Sequence, residues 1–266
     1  MIELLVGGTP VATYVTDPDV DIRLAPRPYL HPVRTLNGTV VTDEFPEDHP
    51  WHLGVSLTMQ DVDGINIWGG RTYVRDQGYI WRDDHGRVVS DGREPIDGGF
   101  TENLRWCDGG GRLLLREHRS VTARPARHGW ELSFGYALSA PGEAEVVIGS
   151  PATNGRTGGA GYGGFFWRAT SGAAEAFTAS GGEPHGATES WLALTVEDSY
   201  TLVFRGLAGD DRWFARTGDY NGVCAALAFE DTVTVKPGAP LARQIRVLVA
   251  DGCLTRDEVA AALAEG

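Results

Sequence analysis

Apolar and polar residues alternate most clearly over GWELSFGYAL, residues 129–138. By period two, Trp130, Leu132, Phe134, Tyr136 and Leu138 share one face, with Glu131 and Ser133 on the other. That pattern predicts a half-buried antiparallel strand. The preceding RLLLREHRSV (112–121) keeps the same period, but its apolar face carries two charges. Leu113, Leu115, Glu117, Arg119 and Val121 lie together, while Arg116 and His118 point the other way. An unpaired buried carboxylate is costly, so Glu117 needs either a partner, with Arg119 the nearest, or a chemical role.

Further short apolar runs are predicted as strands at 144–149, 162–169, 189–196, 200–206, 222–230 and 241–250. IELLV and PVATYV, separated by Gly7-Gly8, predict an opening hairpin. Asp61-Val-Asp-Gly64 lies between two apolar runs and reads as a turn, with Gly64 free to take positive φ. The polar stretch 71–95, which contains His85, reads as loop-like. One helix is signed near the end. Thr255 and Glu258 have capping-box spacing ahead of VAAALAE. With no internal repeat and no linker, the series predicts an all-β sandwich or barrel as a single domain over 1–266.

Composition narrows the partners. Lys and Arg total 23 against 36 Asp and Glu, a formal charge of −13, which argues against nucleic-acid and anionic-membrane partners. No apolar run reaches the roughly 18 to 20 residues that span a bilayer. The N-terminus has neither a basic n-region nor a sustained apolar core, so no secretory signal is expected. Cys107, Cys224 and Cys253 are odd in number and lack metal-ligand spacing. A reducing cytoplasm is the expected location, and the oligomeric state stays open.

Candidate chemistry concentrates in residues 23–54, RLAPRPYLHPVRTLNGTVVTDEFPEDHPWHLG. Five prolines rule out a helix and disfavour a central strand, so a stiff irregular surface segment is expected. It holds His31, His49 and His52 beside Tyr29, Phe45 and Trp51. Polar groups converging next to aromatic rings suit a small-molecule pocket. His49 and His52 suit acid–base work near neutral pH, with metal ligation the alternative. Their spacing matches neither HExxH nor HxH. GAGYGGFFWR (159–168) and WFARTGDY (213–220) set aromatic rings beside Arg168 and Arg216, an arrangement fit for a sugar or for core packing. There is no GxSxG and no dinucleotide fingerprint.

RPYLHPVRTLNGTVVTDEFPEDHPWHLGV resembles the signature of an uncharacterised bacterial family named after the methane oxygenase subunit PmoA. The likeness continues through INIWGGRTYVRDQGYIWRDDHG, Glu117-x-Arg119, YGGFFWR, ESWLALT, WFAR and RVLVADG. Trp51 stands where the family pattern has a further histidine. The resemblance implies a galactose-mutarotase-like β-supersandwich of large antiparallel sheets with a short C-terminal helix. It implies a carbohydrate-active enzyme of mutarotase, epimerase or lyase type, with a non-catalytic sugar-binding module or a metal-dependent oxygenase or isomerase as alternatives. By chemistry, Arg27, His49 or His52, and Glu117 are the counterparts of that fold's arginine, histidine and carboxylate.

The expected site therefore has His49 or His52 as general acid and Glu117 as base, with Glu44 or Glu230 as substitutes. Arg27, His31, Arg168 and Arg216 would bind a small carbohydrate over an aromatic floor drawn from Trp51, Trp68 and Trp167. No cofactor is expected. Were a divalent metal bound, His31, His49 and His52 would hold it.

Overall fold

The computed structural model describes residues 1–264. Two large antiparallel sheets dominate it. The first has seven strands in the spatial order Ile2–Val6, Thr9–Val15, Tyr29–Val33, Val55–Thr58, Gly164–Arg168, Gly222–Ala226 and Arg212–Arg216. The second has eight, ordered Ala174–Thr178, Trp191–Val196, Tyr200–Arg205, Leu241–Asp251, Gly129–Ser139, Leu113–Ala126, Gly99–Asp108 and Gly86–Ile96. The helix Arg256–Ala264 lies on the outer face of the second sheet, where Val259 and Ala262 pack with Trp191, Val203 and Leu248. Its cap is as expected: the Thr255 amide donates to Glu258 Oε2 at 2.8 Å, and the Glu258 amide donates back to Thr255 Oγ1 at 3.4 Å. No helix among the described residues is long and apolar enough to cross a membrane.

The two sheets close over one apolar core, and the alternation in 129–138 explains why. All five residues of its apolar face are buried there. Phe134 meets Phe165 of the first sheet with ring centroids 5.2 Å apart, and Trp167 meets Phe204 at 5.7 Å. Because strand side chains alternate, sending Phe165 and Trp167 inward sends Phe166 and Arg168 to the opposite, outer face. This parity separates the core from the outer face of the first sheet.

Two readings of the chain are corrected by the pairing. Tyr29–Val33 is a strand inside the first sheet despite Pro32. It is tolerated because its pairing is short and shifts register between Ala12 and Tyr14 of the neighbouring strand, a bulge that spares Pro32 a ladder bond. The polar stretch 71–95 holds the small hairpin Thr72–Val74/Gly78–Ile80 and most of the strand Gly86–Ile96, whose polar side chains reflect its place at the sheet edge. The turn at Asp61 to Gly64 is present. Gly64 has φ +82° and its amide donates to Asp61 Oδ1 at 2.8 Å.

Glu117 found a partner. It points into the core with Arg119, whose Nε lies 2.6 Å from Glu117 Oε1 and whose Nη2 lies 3.0 Å from Oε2. The Trp106 indole donates to the same carboxylate at 2.8 Å, and Arg119 also donates to the Tyr14 hydroxyl at 2.9 Å. Tyr14 in turn donates to Glu102, which is paired with Arg93. With every member satisfied, this is a closed polar network inside the sandwich.

Such pairs resist the loss of one partner. Arg119→Met is expected to destabilise the protein by about 3–5 kcal/mol, by stranding the Glu117 charge. Adding Glu117→Gln should recover part of that loss. Urea unfolding of the three variants checks this, and a cost below about 1 kcal/mol for the single change would contradict the network's role.

Candidate functional site

A cavity of about 510 Å³ opens on the outer face of the seven-stranded sheet. Its wall comes from four separate stretches: Asp48 to His52, Trp68 to Arg71 with Tyr79 and Trp81, Arg156 with Tyr162, and Phe214 to Tyr220. The floor is Trp68, Tyr162 and Phe214 against the outward Phe166. Trp51 stands over Gly69 and Gly70. A Cβ on Gly70 would fall 2.5 Å from the Trp51 ring, and both glycines have positive φ, so the Trp-Gly-Gly run is needed for this close approach. Trp81 sits edge-on to Trp51 at 6.3 Å and remains 50% exposed.

Arg168 organises the titratable groups. From the outer face of its strand it grips Asp48, with Nη2 to Oδ1 at 2.8 Å and Nη1 to Oδ2 at 3.0 Å. Nη1 also lies 3.3 Å from His52 Nδ1. A guanidinium only donates, so His52 Nδ1 accepts and its proton sits on Nε2. Burial holds the His52 pKa well below its ordinary value, and His49, Arg168 and Arg27 push it the same way. His52 is therefore neutral near pH 7.

His49 Nδ1 lies 2.7 Å from Asp48 Oδ2. An ionised carboxylate only accepts, so Nδ1 carries a proton, and in the neutral ring Nε2 is the free nitrogen. Burial alone would raise the Asp48 pKa, but the hydrogen bonds from His49 and Arg168 outweigh it and hold the carboxyl below its ordinary range. The His49 ring is stacked on His52, 4.7 Å away and 9° from parallel, and faces Tyr220 at 5.2 Å. Burial also raises the Tyr220 pKa, so its hydroxyl stays protonated. On another wall, Arg156 donates to the Tyr79 hydroxyl, which is 2.9 Å from that of Tyr162.

The structure thus brings His49, His52, Trp51, Trp68, Arg168 and Arg216 to one cavity or its immediate support. It sets the other expected residues aside. Glu117 belongs to the interior network on the second sheet, across the core. Trp167 faces that core and donates to the Val41 carbonyl at 3.0 Å. Arg27 is fully buried and spends its donors on Ser56 Oγ and on the carbonyls of Leu24, Ala25, Trp51 and Trp68. It fixes the backbone under the cavity and leaves nothing for a ligand.

His31 lies outside the cavity, with Nδ1 3.0 Å from Thr42 Oγ1 and Nε2 3.4 Å from Glu44. Glu44 also accepts from Tyr29, and Glu230 pairs with Arg212, so neither replaces Glu117. Among the described residues no group of three or more His, Cys, Asp or Glu side chains is arranged to hold a metal ion. The donor set of His31, His49 and His52 does not converge.

Several lining residues had no signal in the chain. Arg71, Tyr79, Trp81, Arg156 and Asp219 come from loops and a small hairpin whose placement depends on tertiary contacts. Tyr220 was legible only as an aromatic near Arg216. These features define a class: an all-β protein of two packed antiparallel sheets, carrying an aromatic-walled cavity and an aspartate–histidine pair on one outer face.

The chain belongs to the family of unknown function DUF6807, whose model matches residues 1–264. No curated protein matches it. Among solved structures it is similar to the GH36 alpha-galactosidase AgaA from Geobacillus stearothermophilus, at 7% identity and a TM-score of 0.38, over 70% of this chain and 31% of that one. It is similar also to the alpha-galactosidase from Lactobacillus brevis, at 8% identity and a TM-score of 0.40, over 85% of this chain and 36% of that one. The chain spans about a third of the length of those two enzymes.

The depressed His52 pKa gives a pH-dependent stability. The fold holds the ring neutral, so the unfolded chain takes up the proton first as pH drops below about 6.5. This stability is complete above that pH and is lost as pH falls toward the lower folded value. His31 and His185 shift in the same direction, burial being the first cause in each. The unfolding free energy from urea titrations should fall between pH 7.5 and 5, by up to about 1.4 kcal/mol per pH unit for buried His52, with smaller, solvent-screened shares from the half-buried His31 and His185. His52→Asn should remove the largest share of that slope; an unchanged slope would show that His52 is not held neutral.

Proposed function

We propose that the cavity binds a small carbohydrate and that the protein is a carbohydrate-active enzyme working by general acid–base chemistry. The observation that carries this is the Asp48–His49 pair set into an aromatic wall. Asp48 fixes the tautomer, so His49 offers a lone pair on Nε2 to whatever occupies the cavity. Trp81, half exposed at the mouth beside Trp51, is a ring face on which sugar C–H groups can stack. The resemblance to the PmoA-named family and its implied supersandwich points the same way.

A proton moved on one side of a sugar carbon needs a second group to return it. Two groups stand beside the His49 wall, the Asp219 carboxylate and the Tyr220 hydroxyl. The carboxylate lines the cavity and makes no hydrogen bond or ion pair among the described residues. It lies next to Tyr220, whose ring is 5.2 Å from that of His49. His49 as base and the Tyr220 hydroxyl as acid would serve mutarotation, epimerisation or elimination alike.

A non-catalytic sugar-binding module is the second reading, and one observation favours it. Asp48 is already neutralised by the bidentate Arg168, which lessens its pull on the His49 proton.

Kinetics separate the two. With a panel of free aldoses and their uronates in D2O, NMR reads both anomer exchange and solvent deuterium uptake. The enzyme should accelerate one of these on at least one sugar. His49→Ala should lower that rate by about 100-fold or more while leaving affinity within roughly threefold. Trp81→Ala should instead weaken binding about tenfold, the worth of one stacking ring. Binding without turnover by the unaltered protein would leave the module reading, and no binding of any sugar would overturn both.

A further inference from the structure

We infer that the ligand of this cavity carries an anionic group, a carboxylate or phosphate on the sugar, held by Arg71, Arg156 and Arg216. This inference rests on the sugar reading above. All three arginines line the cavity, and none makes an ion pair with a carboxylate among the described residues. Carboxylate partners are not scarce in this chain, where acids outnumber bases 36 to 23. Three half-buried arginines elsewhere sit against carboxylates: Arg93 on Glu102 at 2.8 Å, Arg205 on Glu131, and Arg243 on Asp211 at 2.5 Å.

The cavity arginines are placed by other means. Arg156 lies over the Tyr79 ring, 4.8 Å from its centroid, and donates to its hydroxyl. Arg216 lies 4.4 Å over the Phe214 ring, with Nη1 3.3 Å from His185 Nδ1. These contacts orient a guanidinium without neutralising it, so donors remain available. Arg71 is exposed and makes no side-chain hydrogen bond among the described residues.

The negative groups present do not cancel this charge. Asp48 is taken by Arg168 behind the wall, and His52 is neutral. Asp219 is then the one lining carboxylate not otherwise paired, against three guanidiniums. Aromatic walls with surplus guanidinium donors favour an anion by local charge and hydrogen bonding, against the −13 of the protein as a whole. Guanidinium forks match carboxylate and phosphate geometry equally, so the experiment decides between them.

The test is a matched set of probes by calorimetry at low and moderate salt: D-galactose, D-galacturonate, D-glucose, D-glucuronate, D-glucose 6-phosphate, and inorganic phosphate or acetate without a sugar. A sugar acid or sugar phosphate should bind at least about tenfold more tightly than its neutral parent, with the preference shrinking as salt rises. Arg71→Gln, Arg156→Gln and Arg216→Gln should each cut the anionic ligand's affinity by about 10- to 100-fold, the worth of one charge-assisted hydrogen bond. Neutral-sugar affinity should hardly change. Because Arg71 is exposed, its variant reports even if the other two fold poorly.

Equal binding of neutral and anionic partners, or a preference that survives all three substitutions, would overturn the anion inference and leave the sugar reading standing. Tight binding of phosphate or acetate, with no gain from any attached sugar, would uphold the anion site and overturn the sugar reading. Failure of every probe would overturn both.

Discussion

The bond between Arg168 and Asp48 is the contact on which the outer face of this molecule depends. Arg168 is rigid, because it ends a fully buried strand between two neighbours of the first sheet. Asp48 is not, because it belongs to a proline-stiffened but irregular segment. The two-pronged grip transfers the sheet's rigidity to that segment, with three consequences. It orients His49 through the shared Asp48 oxygen, fixes the His52 tautomer, and sets two imidazoles face to face at the cavity wall. Arg27 completes the job from below, since its guanidinium ties the Trp51 and Trp68 carbonyls to the sheet through Ser56. One arginine positions side chains and the other positions backbone. Neither needs to touch a ligand to matter.

The molecule keeps two polar systems apart with one sheet. Glu117, Arg119, Tyr14 and Glu102 lie between the sheets, closed off and fully bonded. His49, Asp48, Asp219 and the cavity arginines lie on the far side of the first sheet, within reach of solvent. A satisfied interior network has no free donor or acceptor to lend to a reaction. The outer group does: His49 Nε2, the Asp219 carboxylate and guanidinium donors remain open. The parity of Phe165, Phe166, Trp167 and Arg168 along a single strand decides which side of the sheet carries these open groups.

Much of the fold could be read from the chain, because period-two patterning reports sheet faces directly. The strand over 129–138, the opening hairpin and the Thr255 cap all follow from local rules. The central place of Tyr29–Val33 does not, since a bulge lets Pro32 evade the rule that should exclude it. The site was legible only in part. His49, His52, Trp51, Trp68, Arg168 and Arg216 were marked by clustering with aromatic residues. Glu117 was misplaced because alternation says which side chains point inward, but not whether inward means a cavity or a closed core. Arg27 was misread for a similar reason, as composition cannot distinguish a clamp on carbonyls from a clamp on a ligand. Asp219, Arg156 and Arg71 sit in loops with no periodicity, so only the assembled sheet reveals them.

In the proposed function, His49 presents a free Nε2 to a ligand while Asp48 holds Nδ1. Nitrogen-15 NMR of the histidine-labelled protein tests it most directly, with D-galacturonate as the added ligand. The account predicts His49 as the Nδ1–H tautomer, with an Nε2 resonance that moves on titration. His118, exposed on the second sheet and bonded to Asn103, should not move. An Nε2–H tautomer at His49, or a response confined to His118, would contradict it.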